Sequence, residues 1–158
     1  MGNPVLASNA DKERSIPMPS LNILLVEDNP ADAHLTMLAL QEADICKEFH
    51  VVEHGEQALA FLRQQGSYTG VARPDLIILD LNLPRMDGLT ALAAIKADPA
   101  IRAIPVVILS TSCAEQDITQ AYHLGAVRYF VKSNDLQECL MFGHTLAGVW
   151  QGLTDARV

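Results

Sequence analysis

Leu21-Asn22-Ile23-Leu24-Leu25-Val26-Glu27-Asp28-Asn29-Pro30 decides how this chain is to be read. An almost uninterrupted aliphatic run stops at two acids, and Asn-Pro follows. A continuous apolar run of this length suits a strand covered on both faces, as in a parallel sheet. Asn followed by Pro is a helix start, with Asn as the N-cap and Pro in the first turn. The same form returns twice. Residues 76–79 are Leu-Ile-Ile-Leu and run into Asp80, and residues 106–109 are Val-Val-Ile-Leu and run into Ser110 and Thr111. Two weaker runs, 49–52 and 127–131, read as edge strands, and the second is followed by Lys132.

Helical stretches lie between these runs. The first carries Ala31, Leu35 and Leu38 at helical spacing, which predicts its buried face. The second spans about residues 55–65. The third spans about 88–97 and stops at Asp98-Pro99. The fourth holds Ile118, Ala121 and Tyr122, with Gly125 as its C-cap. The fifth starts near Asn134 and Asp135 and is expected to reach Leu153. Five strand–helix units in a row predict a doubly wound α/β fold, a parallel sheet with helices on both faces.

Composition bounds the rest. A chain of 158 residues, 49% hydrophobic and 19% charged, is an ordinary single domain. Eleven basic against nineteen acidic residues give a net charge of −8, which disfavours nucleic acid and anionic membrane surfaces. No apolar run approaches the ~18 residues of a membrane span. Residues 1–20 are polar, hold three prolines and lack the apolar core of a signal peptide, so they are expected to be a flexible tail on a cytoplasmic protein. Cys46, Cys113 and Cys139 are odd in number and widely spaced, so neither a disulfide framework nor a metal clip is expected. The five histidines show no metal-ligand spacing.

Ligands of open α/β sheets bind beyond the carboxyl ends of the strands. There the sequence places Glu27, Asp28 and Asp80, the hydroxyls of Ser110 and Thr111, and Lys132. Carboxylates brought this close stay ionised only if a cation joins them, because like charges at ~4 Å cost several kcal/mol near a protein surface. Oxygen ligands without His or Cys favour Mg²⁺. A carboxylate can attack phosphorus, and a metal and an ammonium can then neutralise the transferring phosphoryl group.

These residues carry a resemblance. The segments ILLVEDNPAD, DLIILDLNLPRMDG, PVVILSTS and GAVRYFVKS resemble the receiver domain of two-component response regulators. The overall look is similar to the small stand-alone regulators paired with bacterial phytochrome kinases. The resemblance implies a flavodoxin-like (βα)5 three-layer sandwich with strand order 2-1-3-4-5. It implies that Asp80 accepts a phosphoryl group from a sensor histidine kinase. One Mg²⁺ per domain would be held by Asp28, Asp80, the backbone carbonyl of Asn82 and, through water, Glu27. Lys132, Ser110 and Thr111 would bind the phosphoryl group, and Ser110 and Tyr129 would switch. Asn82 and Ser112 would flank the attacking water. Pro84 and Asp87-Gly88 match the turn into the third helix, where Gly88 would supply a conformation other residues resist. Two departures stand out. Ser133 follows Lys132 where most receivers have proline; a cis bond before a non-proline residue costs ~3–4 kcal/mol, which leaves this loop's geometry open. Glu27 stands where many receivers have aspartate.

Domain bounds follow as 1–20 tail, 21–153 receiver and 154–158 tail. The residues after Lys132 suffice for one helix, so no output domain is expected, and signalling would pass through contacts with another protein or a phosphotransfer protein. The last helix carries two apolar stripes, one of Leu136, Leu140, Gly143, Ala147 and Trp150, the other of Cys139, Phe142, Leu146, Val149 and Leu153. At 100° per residue they span an arc of about 200°. One stripe is expected on the sheet and the other in a homodimer that also uses the fifth strand, with Cys139, Phe142, Leu146, Val149, Trp150 and Leu153 at the interface. Two other functions share the chemistry. A haloacid-dehalogenase-type phosphatase also uses an aspartate nucleophile, a Ser/Thr, a Lys and Mg²⁺, but its acidic pair comes last and a second Asp follows the nucleophile by two residues, where this chain has Asn82. A receiver-like binding module that takes no phosphate would not need Asp80, Asp28 and Lys132 together.

Overall fold

The computed structural model describes residues 20–157. Strands are β1 (Leu21–Val26), β2 (Cys46–Val52), β3 (Leu76–Leu79), β4 (Val106–Ser110) and β5 (Arg128–Val131). Helices are α1 (Pro30–Glu42), α2 (Gly55–Leu62), α3 (Gly88–Ala97), α4 (Glu115–His123) and α5 (Leu136–Arg157), with a 3₁₀ turn at Gly66–Tyr68. All pairings are parallel and the sheet order is β2-β1-β3-β4-β5. The fold is therefore the doubly wound sandwich that the alternating elements predict. The 1–20 tail lies outside the described residues, save Ser20.

The aliphatic runs occupy the centre. Every residue of β3 and β4 is buried, whereas β2 and β5 lie at the edges and are largely open. Alternation along the central strands divides the core. Leu24, Val26, Ile77, Leu79, Val106 and Ile108 face α2, α3 and α4, and Ile23, Leu25, Ile78, Val107 and Leu109 face α1 and α5. At about 1.5–3 kcal/mol per fully buried aliphatic side chain, these residues supply the main driving force for the fold.

Several expectations are corrected. Helix α1 does start at the Asn29 cap and Pro30, but it buries Ala33, Thr36, Ala39 and Leu40; Ala31 is exposed, and Leu35 and Leu38 are half-buried. Small residues win because α1 packs against α5 as well as the sheet. A Cβ on Gly143 would lie 2.1 Å from the Ala39 carbonyl oxygen, so the two helices touch through backbone at this crossing. Helix α2 stops at Leu62, short of residue 65. Leu124 is the C-cap of α4, with Gly125 just beyond it at φ +110°. Helix α5 continues to Arg157, past the Leu153 boundary.

The free stripe of α5 is also corrected. Phe142 is 8% exposed and Leu146 is fully buried, so neither can form an interface with a second chain. Phe142 meets Phe130 of β5 edge-to-face at 4.9 Å. Gly143 and Ala147 of the other stripe are buried too. The wide apolar arc is consumed inside the domain, because α5 is wedged between the sheet and α1. What remains open is Val131, Leu136 and Met141, at 49%, 58% and 58%. No described helix is long and apolar enough to cross a membrane.

Candidate functional site

Register brings the strand ends together. Val26 pairs with Leu79, Leu79 with Ile108, and Ser110 with Val131. The backbone ladder then runs one residue further. Glu27 N–H donates to the Val52 carbonyl at 2.9 Å, Asp80 N–H to Val26 at 3.1 Å, and Lys132 N–H to Ser110 at 2.8 Å. Each functional backbone is thus fixed by its neighbour strand, and the side chains converge above β1, β3 and β5.

The Lys132 ammonium is the hub. It donates to Glu27 Oε1 at 2.5 Å, Asp80 Oδ2 at 2.9 Å and Asp32 Oδ2 at 3.0 Å. Glu27 and Asp80 are buried, at 3% and 4% exposure. The second oxygen of each is held by a backbone amide, Glu27 Oε2 by Asn29 at 3.1 Å and Asp80 Oδ1 by Asn82 at 3.1 Å. Burial pushes the Glu27 carboxyl above its usual value, against the pull of Lys132 and the Asn29 amide. Burial alone would lower Lys132, but bonds to Glu27, Asp80 and Asp32 outweigh it and raise the ammonium above the ordinary lysine value.

Ligand oxygens of Glu27, Asp28 and Asp80 all lie within 4.8 Å of one another. Their chemistry fits a hard divalent cation. Each carboxylate oxygen can accept about two interactions, so the single hydrogen bonds to Glu27 and Asp80 leave lone pairs for a metal. One ammonium cannot balance four carboxylates, and a divalent ion complements the remainder. The backbone of Asn82 is placed beside Asp80 by the same amide bond, and its side chain donates to Thr111 Oγ1 at 3.2 Å.

Gly88 makes this geometry possible for a reason other than the one expected. Its φ is not positive; instead a Cβ there would meet the Asp80 carbonyl oxygen at 2.2 Å and Leu81 Cα at 2.5 Å. The glycine lets α3 start directly against the strand end. Asp87 caps that helix by accepting from the Thr90 amide at 2.8 Å.

The switch candidates sit on the β4 side. Ser110 is fully buried and accepts from the Ser112 amide at 3.3 Å. Tyr129 donates its hydroxyl to the Ser112 carbonyl at 2.8 Å, and its amide donates to the Tyr122 hydroxyl at 3.0 Å. Burial raises the Tyr129 phenol above its usual value. The Ser112 hydroxyl donates to Asp117 at 2.6 Å and accepts from the Ala114 amide at 3.3 Å, so it closes the start of α4. No cis peptide bond occurs among the described residues, so Lys132-Ser133 is trans.

Asp32 is the site residue the sequence reading missed. It lies in the first turn of α1, and an acid three residues after the Asn29 cap was the available signal.

Residues 23–141 match the model of the response regulator receiver domain. The chain belongs to the response regulator receiver family. Among curated relatives, this receiver is 42% identical over 128 residues to the response regulator Rcp1 of Synechocystis sp., covering 81% of this chain and 87% of the relative. The crystal structure of the phosphorylated cyanobacterial phytochrome response regulator RcpA superposes with a TM-score of 0.78 at 44% identity, covering 84% of this chain and 94% of that one. The Mn²⁺-bound form of Rcp1 gives a TM-score of 0.75 at 42% identity, covering 81% and 92%. The receiver thus resembles phytochrome response regulators in sequence and fold, and the haloacid-dehalogenase reading falls away.

Proposed function

We propose that this receiver is a phosphorylation-dependent signalling switch that takes a phosphoryl group on Asp80 from the phosphohistidine of a sensor kinase. The observation that supports it most is the convergence on Asp80: Lys132 bonds its Oδ2 at 2.9 Å, and oxygens of Glu27, Asp28 and Asp80 gather within 4.8 Å. An Asp80 oxygen forms the bond to phosphorus as the phosphorus–nitrogen bond of the donor breaks, and the imidazole leaves with the electron pair. Lys132 neutralises a phosphoryl oxygen. Asp28, Asp80, the Asn82 carbonyl and, through water, Glu27 would hold one Mg²⁺, which supplies further charge neutralisation there. Ser110 and Thr111 offer hydroxyls to the phosphoryl group, and Tyr129 reports the change at the β4–α4 loop. Asn82 and Ser112 flank the approach of water in the later hydrolysis, and Asp117 holds the Ser112 hydroxyl in place. Catalysis is limited to this self-phosphorylation and to the hydrolysis by water that returns Asp80 to a carboxylate and releases phosphate.

The phytochrome association of RcpA supports a phytochrome-type histidine kinase as donor. Output passes through contact with another protein or a phosphotransfer protein. A homodimer along α5 and β5 would use the open side chains Val131, Leu136 and Met141, with half-buried Cys139, Val149, Trp150 and Leu153 at its margin.

Incubation with Mg²⁺ and acetyl phosphate, followed by intact mass, tests the central claim. One added phosphoryl group is expected on the wild type and none on Asp80→Asn. An unmodified wild type, or equal modification of Asp80→Asn, refutes it.

A further inference from the structure

Asp32 stands outside the acidic group that suits a cation, yet it bonds the same ammonium. It occupies the third position of α1 after the N-cap Asn29. An acid there commonly reaches back to the N-cap amide and completes a capping pair. Here the Asn29 amide donates to Glu27 instead, and the Asp32 amide donates to Asn29 Oδ1 at 3.0 Å. The helix end is closed without the Asp32 carboxylate, which turns to Lys132. A lysine ammonium has three N–H donors, and Glu27, Asp80 and Asp32 occupy all three.

A phosphoryl group on Asp80 must draw on that ammonium. Glu27, at 2% side-chain exposure, is the deep anchor. Asp32, at 37%, is the peripheral one, on a different element from either metal-side strand. We propose that Asp32 is a positioning residue that competes with the phosphoryl group for Lys132 and so weakens the site's hold on that group. The inference rests on the function proposed above. Without the Asp32 charge, Glu27 still places the ammonium, and more of its attraction goes to the phosphoryl oxygens.

Beryllofluoride, a phosphoryl mimic, is the probe. Its affinity is measured by calorimetry at saturating Mg²⁺ for wild type, Asp32→Asn and Asp32→Ser, each also with Lys132→Gln, and every variant is melted alongside. Asparagine keeps the shape and a neutral acceptor, while charge-assisted hydrogen bonds are roughly twice as strong as neutral ones. Asp32→Asn is therefore expected to bind about fivefold tighter, Asp32→Ser is expected to bind tighter too, and neither is expected to differ once Lys132 is Gln. Unchanged or weaker binding in the lysine-containing variants overturns the inference and leaves Asp32 a helix-end charge, visible only in the melt. An equal gain without Lys132 also overturns it, since plain repulsion would then suffice. A wild type that binds no beryllofluoride with Mg²⁺ refutes the phosphorylation reading itself; a wild type that binds beside variants that gain nothing refutes only the role of Asp32.

Discussion

Replacing Gly143 by alanine should do the opposite of what the same change does one and a half turns further along α5. On an exposed helix, Gly→Ala stabilises by roughly 0.5–1 kcal/mol, because alanine loses less conformational freedom on folding. At Gly148 and Gly152 an added Cβ would have nothing within 4 Å, so both should show that gain. At Gly143 the new methyl would lie 2.1 Å from the Ala39 carbonyl oxygen, 2.7 Å from its carbon and 3.1 Å from Ala43 Cβ. Ordinary contact between such atoms begins near ~3.5 Å, so α5 must retreat from α1 by about 1 Å or more. Overpacking of this kind costs about 1–3 kcal/mol, which exceeds the propensity gain. Urea denaturation of the three variants measures both signs. Gly143→Ala should lose about 1–2 kcal/mol net, and the melting temperature should fall by several degrees, at roughly 2–4 °C per kcal/mol for a chain of this size. Gly143→Ala as stable as wild type, or Gly148→Ala less stable by a similar amount, would refute the backbone contact as the determinant of this crossing.

Two further outcomes follow from the charges. Lys132→Met leaves the buried Glu27 and Asp80 without their ammonium, and metal-free protein should lose about 3 kcal/mol or more in urea; because the folded lysine sits above its ordinary 10.5, the wild-type advantage should persist at neutral pH and disappear only as pH rises past that value. Glu27 is raised in the fold, so its contribution is full below the ordinary 4.5 and is lost as pH rises through its raised value. Glu27→Gln should therefore melt above wild type at pH 7 in a chelator, with the difference shrinking toward pH 4.5, and should bind Mg²⁺ more weakly; a lower melt at pH 7 would contradict the burial cost.

Sequence patterning was enough for the sheet. Uninterrupted aliphatic runs can be buried only between two helical layers, and the acids, hydroxyl and lysine that end those runs had to gather at one edge once the strands were parallel. Asp28, Asp80, Ser110 and Lys132 were legible for that reason. The α1 face was not, since helical spacing ranks apolar residues and cannot weigh the small ones that a close crossing demands. Leu35 and Leu38 looked like core, and Ala39 with Gly143 took the place.

What the sequence determined by itself was order along the chain: which segments are strands, where helices begin, and which chemistry ends each strand. Tertiary structure decided every relation between segments without a shared period. It buried Phe142 and Leu146 beside β5 and α1 instead of offering them to a second chain. It set Gly88 against the Asp80 carbonyl through proximity rather than backbone conformation. It also gave Lys132 a third partner in Asp32, one hundred residues away in sequence. Local periodicity encodes which face is apolar, but the distance between two faces depends on the volumes of both, and only the packed chain brings those together.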